Sequence, residues 1–132
     1  MNTNIWAKKI LIYGDSLVFW WKPWWPRYDV KTRFTAVAQN ILWSNYDIIE
    51  EWLRWRMLGW ENLFFPYRNG LEQFWPILAS HIPVDVIVLY LGTNDCNAWT
   101  NLDYEYISHS FSRYRETIQY RSDFFKFPSP LL

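Results

Sequence analysis

Glycine is scarce in this chain, with 4 residues in 132. Average usage of roughly 7% would give about nine. Tight turns between strands and helices draw on glycine for its freedom at positive φ. Cysteine occurs once, at Cys96, which excludes an internal disulfide framework and a Cys-based zinc site. Histidine occurs twice, at His81 and His109. Neither charge sign dominates: 13 Lys and Arg balance 13 Asp and Glu. No basic stripe marks a nucleic-acid surface, so no nucleic-acid partner is expected. No apolar run approaches the roughly 18 residues of a membrane span. The opening Met1-Asn2-Thr3-Asn4-Ile5-Trp6-Ala7-Lys8-Lys9 lacks the apolar core of a signal peptide, and the expected location is cytoplasmic. Internal repeats, low-complexity tracts and linkers are absent. What remains is 51% apolar, enough for a single globular domain over residues 1–132 with a real core. Tryptophan is in excess, with 11 residues.

Two segments share one shape. Ile10-Leu11-Ile12-Tyr13 runs into Gly14-Asp15-Ser16-Leu17, and Val84-Asp85-Val86-Ile87-Val88-Leu89-Tyr90-Leu91 runs into Gly92-Thr93-Asn94-Asp95. Each is an apolar strand that delivers a small polar loop at its C-terminal end. In an open parallel α/β sheet that end is where ligands bind. Ser16 is therefore a candidate nucleophile and Asn94 a candidate oxyanion donor on the same rim. The alternative for Ser16 is a helix N-cap. For Asn94 and Asp95 it is turn chemistry, and Asp95 is read as a cap or loop brace.

The remaining elements follow from periodicity. Lys9 to Tyr13 reads as a strand, and Val18 to Asp29 as a loop dense in Trp20, Trp21, Pro23, Trp24, Trp25 and Pro26, since prolines break a helix interior. Thr32 to Trp43 reads as an amphipathic helix with Phe34, Val37, Ala38, Ile41 and Leu42 at helical spacing. Asn45 to Glu51 reads as a strand, Asn69 to Ile82 as a helix with Leu71, Phe74, Ile77 and Leu78 on one face, and Val84 to Leu91 as a strand buried on both faces. Tyr104 to Tyr120 reads as a helix and Phe124 to Leu132 as an exit loop. The order implies an α/β fold, a three-layer α/β/α sandwich with right-handed crossovers.

The tetrapeptides Gly14-Asp15-Ser16-Leu17 and Gly92-Thr93-Asn94-Asp95 together resemble the first and third blocks of the SGNH (GDSL) hydrolase superfamily of esterases, lipases and acyltransferases. The resemblance runs from about residue 9 to about residue 120, and is nearest the small arylesterase and acyltransferase branch. It implies a parallel, flavodoxin-like sheet and an acyl-serine mechanism on a small ester, without metal or cofactor. Ser16 matches the family's nucleophile and Asn94 its oxyanion asparagine. The second block, in relatives roughly Glu-Glu-Gly-Leu-x-Gly-Arg-Thr, aligns with Glu50-Glu51-Trp52-Leu53-Arg54-Trp55-Arg56-Met57. Trp55 then holds the backbone oxyanion position, and Arg56 matches the family arginine.

The family's Asp-x-x-His block, which carries the base, has no counterpart here. The chain is expected to stop before the family's last two strands, leaving a sheet edge open to self-association. His81 precedes the third strand and so lies at the wrong end of the sheet, whereas His109, inside the last helix, reads as a surface residue. Glu50 and Glu51 are neighbours on a strand and point to opposite faces. Cys96 could line the pocket but reads as a buried or half-buried inert thiol. A non-catalytic α/β module binding a ligand or partner at the same rim, or an inactive gene fragment, are the competing readings.

The tryptophans and glycines connect through the same resemblance. Trp20, Trp52, Trp55, Trp60 and Trp75 fall where relatives carry glycine. Five such exchanges, at about 1–3 kcal/mol each for overpacking, would exhaust a stability of about 5–15 kcal/mol. UGA codons, read as glycine by some bacteria and as tryptophan in another code, would explain the excess and the deficit together. Trp6 and Trp43 need not belong to this set.

Overall fold

A computed structural model describes residues 2–19, 22, 27–96, 104–125 and 130. Its elements are β1 (Lys8–Gly14), α1 (Ser16–Phe19), α2 (Phe34–Leu42), a short 3-10 turn (Trp43–Asn45), β2 (Tyr46–Trp52), α3 (Gly70–His81), β3 (Val86–Tyr90) and α4 (Tyr104–Phe125). Trp20, Trp21 and the Pro23–Pro26 stretch of the Trp-rich loop lie outside the described residues.

The three strands form one parallel sheet in the order β2-β1-β3. Gly14, the last residue of β1, stands level with Trp52 on one side and Tyr90 on the other. All three C-termini therefore open on one rim. Leu11 and Tyr13 of the central strand are fully buried on the α3/α4 side. There they meet Leu58, Phe74, Leu78, Val84, Ile87, Tyr114 and Ile118. Phe74 sits edge-on to both Tyr13 (5.2 Å) and Tyr114 (4.9 Å), contacts worth about 0.5–1.5 kcal/mol each beyond area burial. Neither buried hydroxyl is orphaned: Tyr13 donates to the Gly70 carbonyl at 2.7 Å and Tyr114 to that of Leu58 at 2.6 Å. The opposite face of β2 carries α2, so the α/β/α layering holds.

Local chemistry sets the boundaries. Asn69 caps α3, its side chain accepting from the Leu71 and Glu72 amides, as a favoured N-cap does. The helix read from Thr32 begins instead at Phe34, because Asp29 accepts from the Lys31 and Thr32 amides and the Thr32 hydroxyl. That Asx turn holds the chain out of helix. Val18 and Phe19, read as loop, complete the single turn of α1. The last helix runs five residues past Tyr120 to Phe125, where Ser122 is buried and the Arg121 guanidinium lies 4.9 Å over the Trp75 ring.

The third strand is not buried on both faces. Ile87 is buried, but Val88 and Tyr90 are 39% and 48% exposed. β3 borders only β1 in the described sheet, and its outer face is covered only in part, Tyr90 meeting Phe34 of α2 with ring centroids 5.9 Å apart.

Candidate active site

The nucleophile loop depends on Gly14. A Cβ there would lie 2.3 Å from Val18 Cγ2 and 2.7 Å from the Tyr90 carbonyl oxygen, distances that real side chains do not reach. Its absence lets α1 start directly above β1. Asp15, fully buried, turns its Oδ1 back to accept from the Leu17 amide at 2.8 Å. The cap of α1 is thus Asp15. Ser16 is the first helical residue, half-buried, and capping does not account for it.

The second-block loop folds onto the same point. The Gly14 carbonyl accepts from the Leu53 amide at 3.1 Å and from Arg56 Nη1 at 2.8 Å. The Arg56 amide donates to the Leu53 carbonyl at 3.1 Å, closing a four-residue turn with Arg54 and Trp55 at its centre. Trp55 has φ 65°. A turn with positive φ only at its third residue is the type II pattern, which favours glycine there. The half-buried Trp55 indole stacks on Phe65. Arg56 is 2% exposed, donates also to the Glu51 carbonyl at 2.8 Å and Gln73 Oε1 at 3.2 Å, and lies 4.1 Å over the Tyr13 ring. Burial pulls its pKa down, yet a guanidinium stays charged.

The third loop turns at Gly92, φ 113°, whose carbonyl accepts from the Asp95 and Cys96 amides. Asn94 is buried, and its Nδ2 donates to the Arg56 carbonyl at 2.9 Å and reaches Asp15 Oδ2 at 3.5 Å. One side chain therefore touches the residue before Ser16 and the residue after Trp55. Asp95 is fully buried and accepts from the Leu58 amide and the Tyr106 hydroxyl, the brace expected of it. Burial raises the pKa of both carboxyls. At Asp15 the Leu17 amide opposes that rise and the Asp95 charge adds to it; at Asp95 the Leu58 amide and Tyr106 hydroxyl oppose it.

The histidines stand elsewhere. α3 starts beside the rim, where the Gly70 amide donates to the Met57 carbonyl, and eleven residues later reaches His81. At 1.5 Å per residue His81 is roughly 17 Å down that helix. Its Nε2 lies 2.6 Å from Glu51 Oε1, on the face opposite Glu50, which binds Arg27, Arg33 and Thr35. His109 is exposed on α4. Cys96 is exposed as well. This corrects the buried or half-buried thiol read from its neighbours, because the Gly92 turn swings position 96 outward while Asn94 and Asp95 point in.

Sequence reasoning missed Tyr106 and Tyr114, whose hydroxyls reach the second-block loop from α4. The spacing Tyr106, Ser110, Tyr114 is the signal that could have found them: residues four apart share a helix face.

Of the other tryptophans aligned with glycine, Trp52 tilts against Phe19 at 3.8 Å, Trp60 lies 5.4 Å from Tyr106, and Trp75 packs against the core. None of the three has positive φ, whereas Trp43, set apart above, has φ 55° at the end of α2. Trp20 is outside the described residues.

No protein-family profile and no curated protein sequence matches the chain. Solved structures do. The native aryl esterase of M. smegmatis is 31% identical with a TM-score of 0.79, over 85% of this chain and 54% of that one. A carbohydrate acetylesterase from Sinorhizobium meliloti is 28% identical with a TM-score of 0.82, over 94% of this chain and 60% of that one. AlinE4, an SGNH-hydrolase family esterase, shares the fold at 22% identity and a TM-score of 0.65, over 87% of this chain and 55% of that one. The chain thus spans little more than half the length of these neighbours. The resemblance carried by the two tetrapeptides holds in three dimensions: this is the α/β architecture of the SGNH-hydrolase esterases, over the part of the fold that it shares with them. Among the described residues, no helix is long and apolar enough to cross a membrane, and no cluster of three His, Cys, Asp or Glu could hold a metal ion.

Proposed function

We propose that this chain carries the nucleophile and oxyanion half of an SGNH-type serine esterase or acyltransferase acting on small esters. The observation that supports this most is the convergence on Asn94, whose amide joins the Ser16 loop to the Trp55 turn. In this reading Ser16 Oγ attacks the ester carbonyl carbon. The Ser16 and Trp55 backbone amides and Asn94 Nδ2 stabilise the oxyanion. The ester C–O bond then breaks, and the alcohol leaves with the proton that Oγ gave up. Water or a second alcohol releases the acyl group from Ser16, giving hydrolysis or transfer. The proton carrier is assigned to neither histidine: among the described residues neither His81, paired with Glu51, nor the exposed His109 bonds to Ser16. That same fact favours a second reading, a non-catalytic module that binds a ligand at this rim.

Prolonged incubation with a fluorophosphonate, followed by peptide mass spectrometry, tests the proposal. Slow label on Ser16 that exceeds the label on any other hydroxyl, lost in Ser16→Ala, is expected, since the serine is not activated by a base. Label spread over other hydroxyls, or none at Ser16, would leave the binding-module reading.

A further inference from the structure

Met57 lies between two grips from one dipeptide. On its amino side the Arg56 carbonyl accepts from Asn94 Nδ2 at 2.9 Å. On its carboxyl side the Leu58 amide donates to both oxygens of Asp95, at 3.0 and 2.9 Å. The bracket extends one residue further. The Tyr106 hydroxyl donates to Asp95 Oδ1 at 3.3 Å, and its oxygen accepts from the Gly59 amide at 3.1 Å. Tyr114 closes the set by donating to the Leu58 carbonyl. The main-chain groups of Leu58 and the amide of Gly59 are therefore tied by side chains that arrive from the third loop and from α4. Gly59 leaves no slack, since a Cβ there would lie 2.8 Å from Ser110 Oγ.

This network does more than fill a gap in the core. Buried polar groups can be satisfied by backbone ladders or by water. Here an ionisable carboxyl is used, next in sequence to the candidate oxyanion amide and bonded to the chain three residues from Trp55. Both carboxyl oxygens take the one Leu58 amide while the Tyr106 hydroxyl holds the carboxyl from behind, and oxyanion donors act only when held at a fixed distance. We propose that Asp95 is a positioning residue: by gripping the Leu58 amide, with Tyr106 as its partner, it sets the Trp55 turn at a fixed separation from Asn94. The proposal rests on the esterase reading of Ser16 and Asn94. It assigns Asp95 no contact with substrate.

The test uses Asp95→Ala, Asp95→Asn and Tyr106→Phe in the full chain, with two readouts. The first is backbone order at residues 54–58 from amide relaxation. The second is the affinity of phenylboronic acid, whose boron accepts Ser16 Oγ, loses the Oγ proton to water and becomes a tetrahedral anion visible by boron NMR. Asp95→Ala is expected to loosen residues 54–58 while β1 and α3 stay ordered. It should weaken the boronate on the order of tenfold or more, since small misplacements of reacting groups are costly. Asp95→Asn, which keeps an acceptor for Leu58, should restore most of both, and Tyr106→Phe should fall between. Unchanged order at 54–58 with unchanged boronate affinity in Asp95→Ala would overturn the proposal. So would loosening of the whole domain in both Asp95→Ala and Asp95→Asn, which marks a purely structural role. If the parent chain forms no boronate adduct, the esterase reading fails. The amide order of the variants then decides the positioning role by itself.

Discussion

Trp55 stacks on Phe65 with ring centroids 5.4 Å apart and planes 7° from parallel, although its backbone is left-handed. The stack contributes about 0.5–1.5 kcal/mol, and the left-handed backbone costs a non-glycine residue roughly 1–2 kcal/mol. The two nearly cancel. Trp55→Gly is therefore expected to change stability by no more than about 1 kcal/mol, where truncating a buried tryptophan ordinarily costs about 3–5 kcal/mol. Chemical denaturation measures it, and a loss in the ordinary range would show that the turn does not ask for glycine. The coding DNA decides whether glycine is native. UGA is expected at positions 20, 52, 55, 60 and 75, and UGG there would end that explanation. Among the described four, Trp55 alone has a positive φ, and Trp43 becomes a sixth position to read.

Turnover is the second expectation. A serine hydroxyl without a base is a weak nucleophile at neutral pH. The 132-residue chain is expected to show no serine-dependent hydrolysis of p-nitrophenyl acetate above buffer. Hydrolysis that disappears in Ser16→Ala would mean that a base is present, and His109→Ala would be the next variant to assay.

The third concerns pH. Asp15 has its pKa raised above 3.8 by burial, with the Asp95 charge adding to the effect. For an acid with a raised pKa the folded state holds its proton where the unfolded state has lost it. The stability from that proton is full below the unfolded pKa and is lost as pH rises through the folded one. Asp15→Asn keeps an acceptor for the Leu17 amide and removes the titration, while setting its own NH2 toward Asn94 Nδ2, an offset that does not change with pH. Its thermal midpoint is expected above the parent's at pH 7, with the gap closing as pH falls toward 4. A gap that stays constant or widens in acid would refute the assignment.

The open side of β3 supplies the fourth. Among the described residues no strand pairs with the outer edge of β3; such an edge is a template for another chain, and Val88 and Tyr90 add exposed apolar surface beside it. Sedimentation at tens of micromolar is expected to show dimers or soluble aggregates. Replacing Val88 by lysine should shift them toward monomer. A clean monomer with cooperative unfolding would contradict the expectation.

The parallel strands were legible because Ile10-Leu11-Ile12 and Val86-Ile87-Val88 are apolar runs too short for helices and end in turn residues. α3 was legible because Asn69 caps a segment with helical apolar spacing. α1 was not, since four residues hold barely one turn and no period can be read from them. The outer face of β3 was misread because an apolar run does not say which helices cover it. The rim residues Ser16 and Asn94 stood out through their place after strands. What holds them did not: the Asp95–Leu58 and Tyr106–Gly59 bonds join positions 37 and 47 residues apart, and no local pattern records such pairs.

Asp15 holds the amino end of α1, so position 16 has no folding duty. Selection on structure and selection on chemistry fall on adjacent but separate residues. Serine there can change to alanine without removing the cap of α1. On the esterase reading, exchanging that one residue would separate a hydrolase from a silent binding protein, the two sharing shape and rim and differing by one oxygen atom.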